Sequence, residues 1–246
     1  MKHQESRLSL LTIFCVAALV ARAAVAQVTF VGSSGSLSAS ATFATSGNSL
    51  VVTLSNTSPA DVLIQGHVLS SLFFNVDGSL LGLTPGTGSA VLAAGSSVLF
   101  GTTDPGNVVG GEWSYREGIS GSAPLGLNYG ISSAGFGIFN GANFPGTDLS
   151  PPPAVNGINY GITSMGDNPA TGQSAVTGTR PLIQHAVVFT IPGLPNGFDP
   201  AASIHEVWWQ YGTALSPTDI GFSVPEPSAC VLFFAGVVSL IARRRR

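Results

Sequence analysis

Between residues 27 and 224 the chain contains no lysine and only two arginines, Arg116 and Arg180. Ten carboxylates accompany them: Asp61, Asp77, Asp104, Glu112, Glu117, Asp148, Asp167, Asp199, Glu206 and Asp219. Twelve charged groups in these 198 residues is about 6 %, against about 25 % in an ordinary soluble domain, and the net charge of the stretch is −8. This scarcity constrains the fold. Solvated helical faces are built from Glu, Lys, Arg and Ala, and a chain this poor in charge cannot supply them. A nucleic-acid footprint needs clustered Lys and Arg, so no nucleic-acid partner is expected. Disorder driven by high charge and low hydrophobicity does not fit either. What remains is a Gly-, Ser-, Thr- and Asn-rich β protein kept soluble by neutral polar side chains.

The apolar pattern agrees. Period-two or β-rich runs fall at 27–31, 36–44, 49–55, 61–64, 67–76, 89–92, 97–100, 112–116, 136–139, 182–191, 205–211 and 219–224. In 49–55, Leu50, Val52 and Leu54 share one face. Turn signals separate the runs: 56–59, Asp77-Gly78, Pro85-Gly86, 104–107 and Pro195-Asn196-Gly197. Many short strands with frequent turns predict an all-β body over 27–224, an antiparallel sandwich or jelly-roll-like arrangement. Residues 141–181, with Pro151-Pro152-Pro153, read as a long Gly/Pro-rich loop region. Two decapeptides, GLNYGISSAG at 126–135 and GINYGITSMG at 157–166, match at seven of ten positions. Two copies are too few for a solenoid. They read as equivalent strand-turn units with Tyr129 and Tyr160 in matching places; the sharper reading is a duplicated ligand site.

Both ends carry topological signals. Lys2 and Arg7 precede an apolar run over 8–21, and Ala24-Val25-Ala26 stands before Gln27. This is the pattern of a helical secretory signal peptide over 1–26, cut after Ala26, which implies the Sec translocon and signal peptidase as partners. An uncut anchor is the rival reading, but the run is short for a span of ~20 residues. At the other end Pro225-Glu226-Pro227 is followed by the apolar run 228–242 and then Arg243, Arg244, Arg245 and Arg246. The prolines cannot continue a strand ladder or a helix interior. A helix over 228–242 would cover about 22 Å of a ~30 Å bilayer core. Snorkelling arginines would lengthen it and stay cytoplasmic, with the body outside.

Residues 224–246 resemble the PEP-CTERM sorting signal: the Pro-Glu-Pro triplet, a short apolar helix and a terminal Arg cluster, in that order. The resemblance implies recognition by exosortase, a membrane-embedded cysteine protease, with cleavage near 225–227. The body would sit briefly at the inner membrane and then reach the cell surface or exterior. Such proteins are typical of Gram-negative bacteria with exopolysaccharide or biofilm matrices. The body is also similar to a family of exosortase-dependent surface proteins, in 50–61, 115–121, 160–171 and 181–191 through Tyr211-Gly212-Thr213. That likeness implies a surface location and nothing catalytic.

The search for chemistry gives little. Cys15 and Cys230 both lie in segments expected to be removed, so the mature body has no disulfide, thiolate or Cys-ligated metal. The histidines of the body are His67, His185 and His205, and no Gly-x-Ser-x-Gly elbow accompanies them. His185 reads as an ordinary strand residue. His205-Glu206 offers part of a metal site without a third ligand at a recognisable spacing. Glu112 and Glu117, flanking Trp113 and Tyr115, are the carboxylates best placed for glycoside hydrolysis. On a regular strand, however, Glu112 pairs with Arg116 while Trp113 and Tyr115 enter the core. Asp77, Asp104 and Asp167 sit in turns and are the calcium candidates, since calcium takes hard oxygen ligands; turn chemistry alone also accounts for them. No other cofactor is expected. On 205–211, Val207, Trp209 and Tyr211 share one face with Trp208 opposite. Trp208 either packs beneath a loop, the simpler reading, or stays exposed and stacks on a sugar. The expectation is an exported surface or matrix protein with a structural or interaction role and no activity of its own. A carbohydrate- or calcium-binding module is the alternative, and a hydrolase acting on surface polymer a further one.

Overall fold

The computed structural model describes residues 26–215 apart from Pro85, Asn140 and Ala142. The expected signal segment as far as Val25, the run 219–224 and the whole sorting tail lie outside the described residues.

The chain opens with a meander that follows its own alternation. Strands β1 (Gln27–Ser34), β2 (Leu37–Ser46) and β3 (Ser49–Asn56) pair antiparallel, residue against residue, from Ser34↔Leu37 and Ser46↔Ser49 outward. Gly35 and Gly47 each begin a two-residue turn at φ +59°, a conformation glycine adopts without steric cost. Beyond β3 come β11 (Ala186–Pro192) and then β5 (Ser89–Leu92), completing a five-stranded antiparallel sheet.

The second, seven-stranded sheet is built on β4 (Leu69–Val76). Along one edge runs β12 (Ile204–Tyr211). The other edge is shared by β8 (Tyr129–Ser132) and β9 (Ile162–Thr163): Leu72 pairs with Trp209 and Ile131, Leu69 with Tyr211 and Ile162. Past β8 the sheet continues into β7 (Ser114–Glu117); past β9 it continues into β10 (Leu182–Gln184) and β6 (Ser97–Leu99). Only β9 and β10 pair in parallel among the described strands. The sequence repeat thus has a spatial meaning, since its two copies supply β8 and β9, in line along one edge of the same strand.

The two sheets close on an aromatic core. Phe30 meets Phe43 edge-on at 5.8 Å, Phe43 meets Phe74 across the sheets at 4.9 Å, and Phe74 stacks on Tyr129 at 5.1 Å. Leu50, Val52, Leu54, Leu72, Ile131 and Trp209 are buried in the same cluster. Burying each such side chain contributes roughly 1.5–3 kcal/mol. The far face of the second sheet is also covered: Phe73 and Trp208 pack with Ile119, Leu127, Ile138 and Phe139. Gly130 permits this cover, because a Cβ there would lie 2.6 Å from Phe139 Cζ. The adjacent tryptophans are therefore both buried, one in each layer. A register shift between His205 and Trp208, with Glu206 at φ +51°, re-aims β12 before them.

Several expectations are corrected. The run 182–191 is two strands in different sheets, broken at His185 (φ +90°). A ribbon of β5–β6 against β11–β10 turns the corner from one sheet to the other there, and Ser96 Oγ, the acceptor from Ala186 N at 3.1 Å, pins it. Residues 61–64 are not a strand, and 136–139 fold as a turn over the second sheet. Glu112 precedes its strand, in a 3-10 turn over Gly110–Glu112. Among the described residues no helix is long and apolar enough to cross a membrane.

Candidate functional site

The aromatic candidates lie inside the fold. Trp208 is 4 % exposed, Tyr129 1 % and Tyr160 0 %. Trp208 packs beneath the 119–139 cover, so a sugar could stack on it only if that cover opened. The two tyrosines do occupy matching roles. Tyr129 Oη accepts the Leu81 N–H at 2.8 Å, and Tyr160 Oη donates to the Thr102 carbonyl at 2.8 Å. Each hydroxyl ties down a loop, and burial pushes both phenols above their ordinary pKa.

Most of the buried or half-buried carboxylates hold backbone N–H groups, and two pairs lie close together, Asp61 with Asp167 and Glu112 with Asp148. Asp77 is exposed beside His205, with Nδ1 to Oδ1 at 3.5 Å, and Glu206 stands 3.9 Å from the other ring nitrogen. Asp104 accepts from Thr147 N at 2.7 Å and from the Thr147 hydroxyl, and these bonds lower its pKa. Asp167 is buried and accepts from Val62 N at 3.0 Å. Across the same contact Asp61 accepts from Asn168 N at 2.9 Å and from the Thr171 hydroxyl, which lowers its pKa. No three His, Cys, Asp or Glu side chains gather into a metal cluster among the described residues.

Glu112 is the most perturbed acid. It is 1 % exposed, and burial raises its pKa to about 7. Oε1 accepts the N–H groups of Leu149 and Ser150, the latter at 2.9 Å, while Oε2 has no hydrogen-bond partner. The expected pair with Arg116 does not form: Arg116 Nη1 donates to the Ile138 carbonyl at 2.6 Å. Trp113 and Tyr115 are in the core, as expected, and Glu117 lies 3.4 Å from the Tyr115 hydroxyl. Glu112 therefore clamps the 148–150 segment, and the close packing there explains why Gly110 and Gly111 are required. A Cβ on either would lie 1.9 Å from the carbonyl oxygen of Pro145 or Thr147.

One polar cleft of about 310 Å³ opens where 156–158 and 174–180 meet Gln65 and Thr213. It is lined by Arg180 and the Asn156 amide, whose Nδ2 is buried without a partner, and by no carboxylate. Sequence reasoning missed this cleft, because most of its lining comes from the segment read as loop, and only the fold brings Gln65 and Thr213 to it. The sorting residues Pro225, Glu226, Pro227 and Arg243 to Arg246 lie outside the described residues, as does Ala24. Ala26 and Gln27 are within them, and β1 starts at Gln27. No protein-family model, curated protein or solved structure matches this chain.

Proposed function

We propose that this chain is an exported bacterial surface or extracellular-matrix protein whose β body serves structure and contact, with no catalysis of its own. The Sec translocon and signal peptidase handle its N-terminus. Exosortase cuts its tail near 225–227 after a brief stay in the inner membrane, and the body is left at the surface, among exopolysaccharide. The observation that carries this reading is the order of signals at the two ends: a charged start, apolar run and Ala24-x-Ala26 site, then Pro225-Glu226-Pro227, apolar 228–242 and four arginines. The position of β1 supports it, since cutting after Ala26 spares every residue of the first strand. So does a body held up by neutral polar groups rather than charge. The test is the intact mass of the protein recovered from an exosortase-bearing host. A species from Gln27 to 225–227 is expected. A species ending at Arg246 in the membrane fraction overturns the sorting claim.

The cleft favours a second reading, a saccharide-binding module. Its donors and single guanidinium suit a carboxylate-bearing sugar. Retention on an acidic polysaccharide that disappears in Arg180→Ala would support it; equal retention would exclude that cleft.

A further inference from the structure

The polar cleft has a support that reaches well behind it. Arg180 Nη1 donates to Asn159 Oδ1 at 3.5 Å, and Tyr160 N donates to the Pro181 carbonyl at 2.7 Å, so the 156–161 turn and the stretch bearing the guanidinium are held to each other. Asn159 N also donates to the carbonyl of Asn156, a lining residue, at 3.2 Å. Behind the turn, Asn159 Nδ2 donates to Ser150 Oγ at 3.0 Å, and the Ser150 N–H is one of the two that Glu112 Oε1 accepts. One chain of hydrogen bonds therefore runs from Glu112 through Ser150 and Asn159 to Arg180. Its inner members are sealed, since Glu112 and Asn159 are each 1 % exposed. Arg180 is exposed at the cleft and makes no ion pair among the described residues.

We propose, on the saccharide-binding reading of this cleft, that Glu112 is its positioning residue: protonated, it holds Arg180 through Ser150 and Asn159 to meet the carboxylate of a uronic-acid sugar, and ionised, it lets the guanidinium go. The two forms of Glu112 make different demands on the 148–150 segment. The neutral acid stays buried and keeps both N–H groups. The ionised acid is a charge without a cation, and burying an unpaired charge is costly. The titratable groups that face it add to that cost. Asp148, on the clamped segment, is a second acid, and Tyr160, on the turn, is a phenol that burial keeps neutral. Asp104, one step out, holds Thr147 and is a third acid. β5, which packs against the 110–112 turn, has no titratable side chain. Relief comes from water, which reaches Glu112 when 148–150 lifts. Lifting takes Ser150 Oγ from Asn159 Nδ2 and leaves that buried amide short of an acceptor. The turn that carries Asn156 and steadies Arg180 then shifts with it. Burial sets the range of the switch, because it raises the Glu112 pKa from 4.5 to about 7. The contribution to the closed cleft is complete below pH 4.5 and is lost as pH rises through about 7.

The test is calorimetric titration of the full-length protein with tetragalacturonate, and with maltotetraose as the neutral counterpart, at about pH 5 and about pH 8. Arginine and uronate are both charged across this range. Wild-type affinity for the uronate should be ~10-fold or more higher at the acid end, since one titrating group changes it by at most about tenfold per pH unit. Glu112→Gln, which keeps the acceptor for both N–H groups and cannot ionise, should lose this pH dependence. Ser150→Ala cuts the link to Asn159 without altering a lining residue, and should bind at the acid end as weakly as the wild type does at the basic end. His67 stands two residues from Gln65 of the cleft, so His67→Gln is the control and should keep the wild-type profile. Equal wild-type affinity at the two ends overturns this inference and leaves the cleft reading standing. So does a pH dependence that persists in Glu112→Gln or disappears in His67→Gln. Equal binding of maltotetraose overturns the carboxylate contact and this inference with it. No binding of the uronate at either end overturns the saccharide reading itself, and the role of Glu112 falls with it.

Discussion

Asn56 donates its backbone N–H to the carbonyl of His185 at 3.1 Å, and through this pair the two sheets are joined. His185 faces both ways: its N–H donates to Thr163 of the second sheet at 3.0 Å, and its carbonyl receives Asn56 of the first. The Asn56 side chain repeats the link, with Nδ2 donating to the Ile162 carbonyl at 2.9 Å and Oδ1 accepting from Ser58 N at 3.1 Å. Asn56 is 1 % exposed, so nothing outside the protein can replace these bonds. Asn56→Ala should destabilise the protein by about 2–4 kcal/mol, read from the midpoint of denaturant unfolding.

The backbone of His185 predicts an unusual tolerance. At φ +90° a β-branched residue is strained and glycine is at ease. His185→Gly should unfold at or slightly above the wild-type temperature, while His185→Val should cost about 1–3 kcal/mol. The opposite order would show that the imidazole, which touches Ser96 Oγ at 3.4 Å, matters more than the corner.

Trp113, Trp208 and Trp209 are all buried. Emission from the folded protein should be blue-shifted and resist iodide quenching, then move to the red on unfolding. Trp208→Ala should cost about 3–5 kcal/mol by leaving a cavity under the cover. A Trp208→Ala variant of unchanged stability would contradict the packing described for this residue.

Stability should respond to pH through Glu112. Its folded pKa of about 7 lies above the ordinary value of 4.5. The protonated form is thus favoured in the folded state. This contribution is complete below pH 4.5 and is lost as pH rises through about 7. Glu112→Gln keeps the acceptor for Leu149 and Ser150 without the charge. Above pH 7 it should be more stable than the wild type by up to about 3 kcal/mol, with the gap closing toward pH 4. Parallel stability curves across this range would refute the assignment.

The first meander could be read directly, because β1 to β3 have one apolar and one polar face and glycine at their turns. The second sheet was harder for a physical reason. It is buried on both faces, and its far face is filled partly by serines, among them Ser71, Ser114 and Ser132, which are 0 % exposed. Ser71 and Ser132 bond each other and Ser114 Oγ donates to the Phe139 carbonyl at 3.2 Å. Serine read alone signals solvent, so the pattern marks the repeat but not the strands β8 and β9 inside it. Ile183-Gln184-His185-Ala186 interrupts the apolar run with two polar residues in succession, but it carries no glycine, proline or asparagine, so nothing in it names a positive φ or a change of sheet. In the sequence Asp167 reads as an acid in a turn, and the Val62 N–H that it accepts is not legible there, because only the folded chain brings residue 62 to residue 167.

The branching of the second sheet on β4 fixes when the molecule can form. A chain made from its N-terminus has β1, β2 and β3 early, joined by two-residue turns, so their pairing with one another is local, although the far edge of β3 waits for β11 and their apolar face for the second sheet. β4 emerges soon after with both edges bare. Its partners arrive only at 129–132, at 162–163 and at 204–211. Long-range pairing of this kind is slow, because loop closure precedes the contacts that reward it. Until Tyr211 is delivered, Phe74 and Leu72 have one wall of their core and β4 offers open hydrogen-bonding groups to any passing strand. A chaperone that shields residues 69–76 during synthesis or passage would therefore cover the strand that waits on both edges for the most distant partners among the described strands.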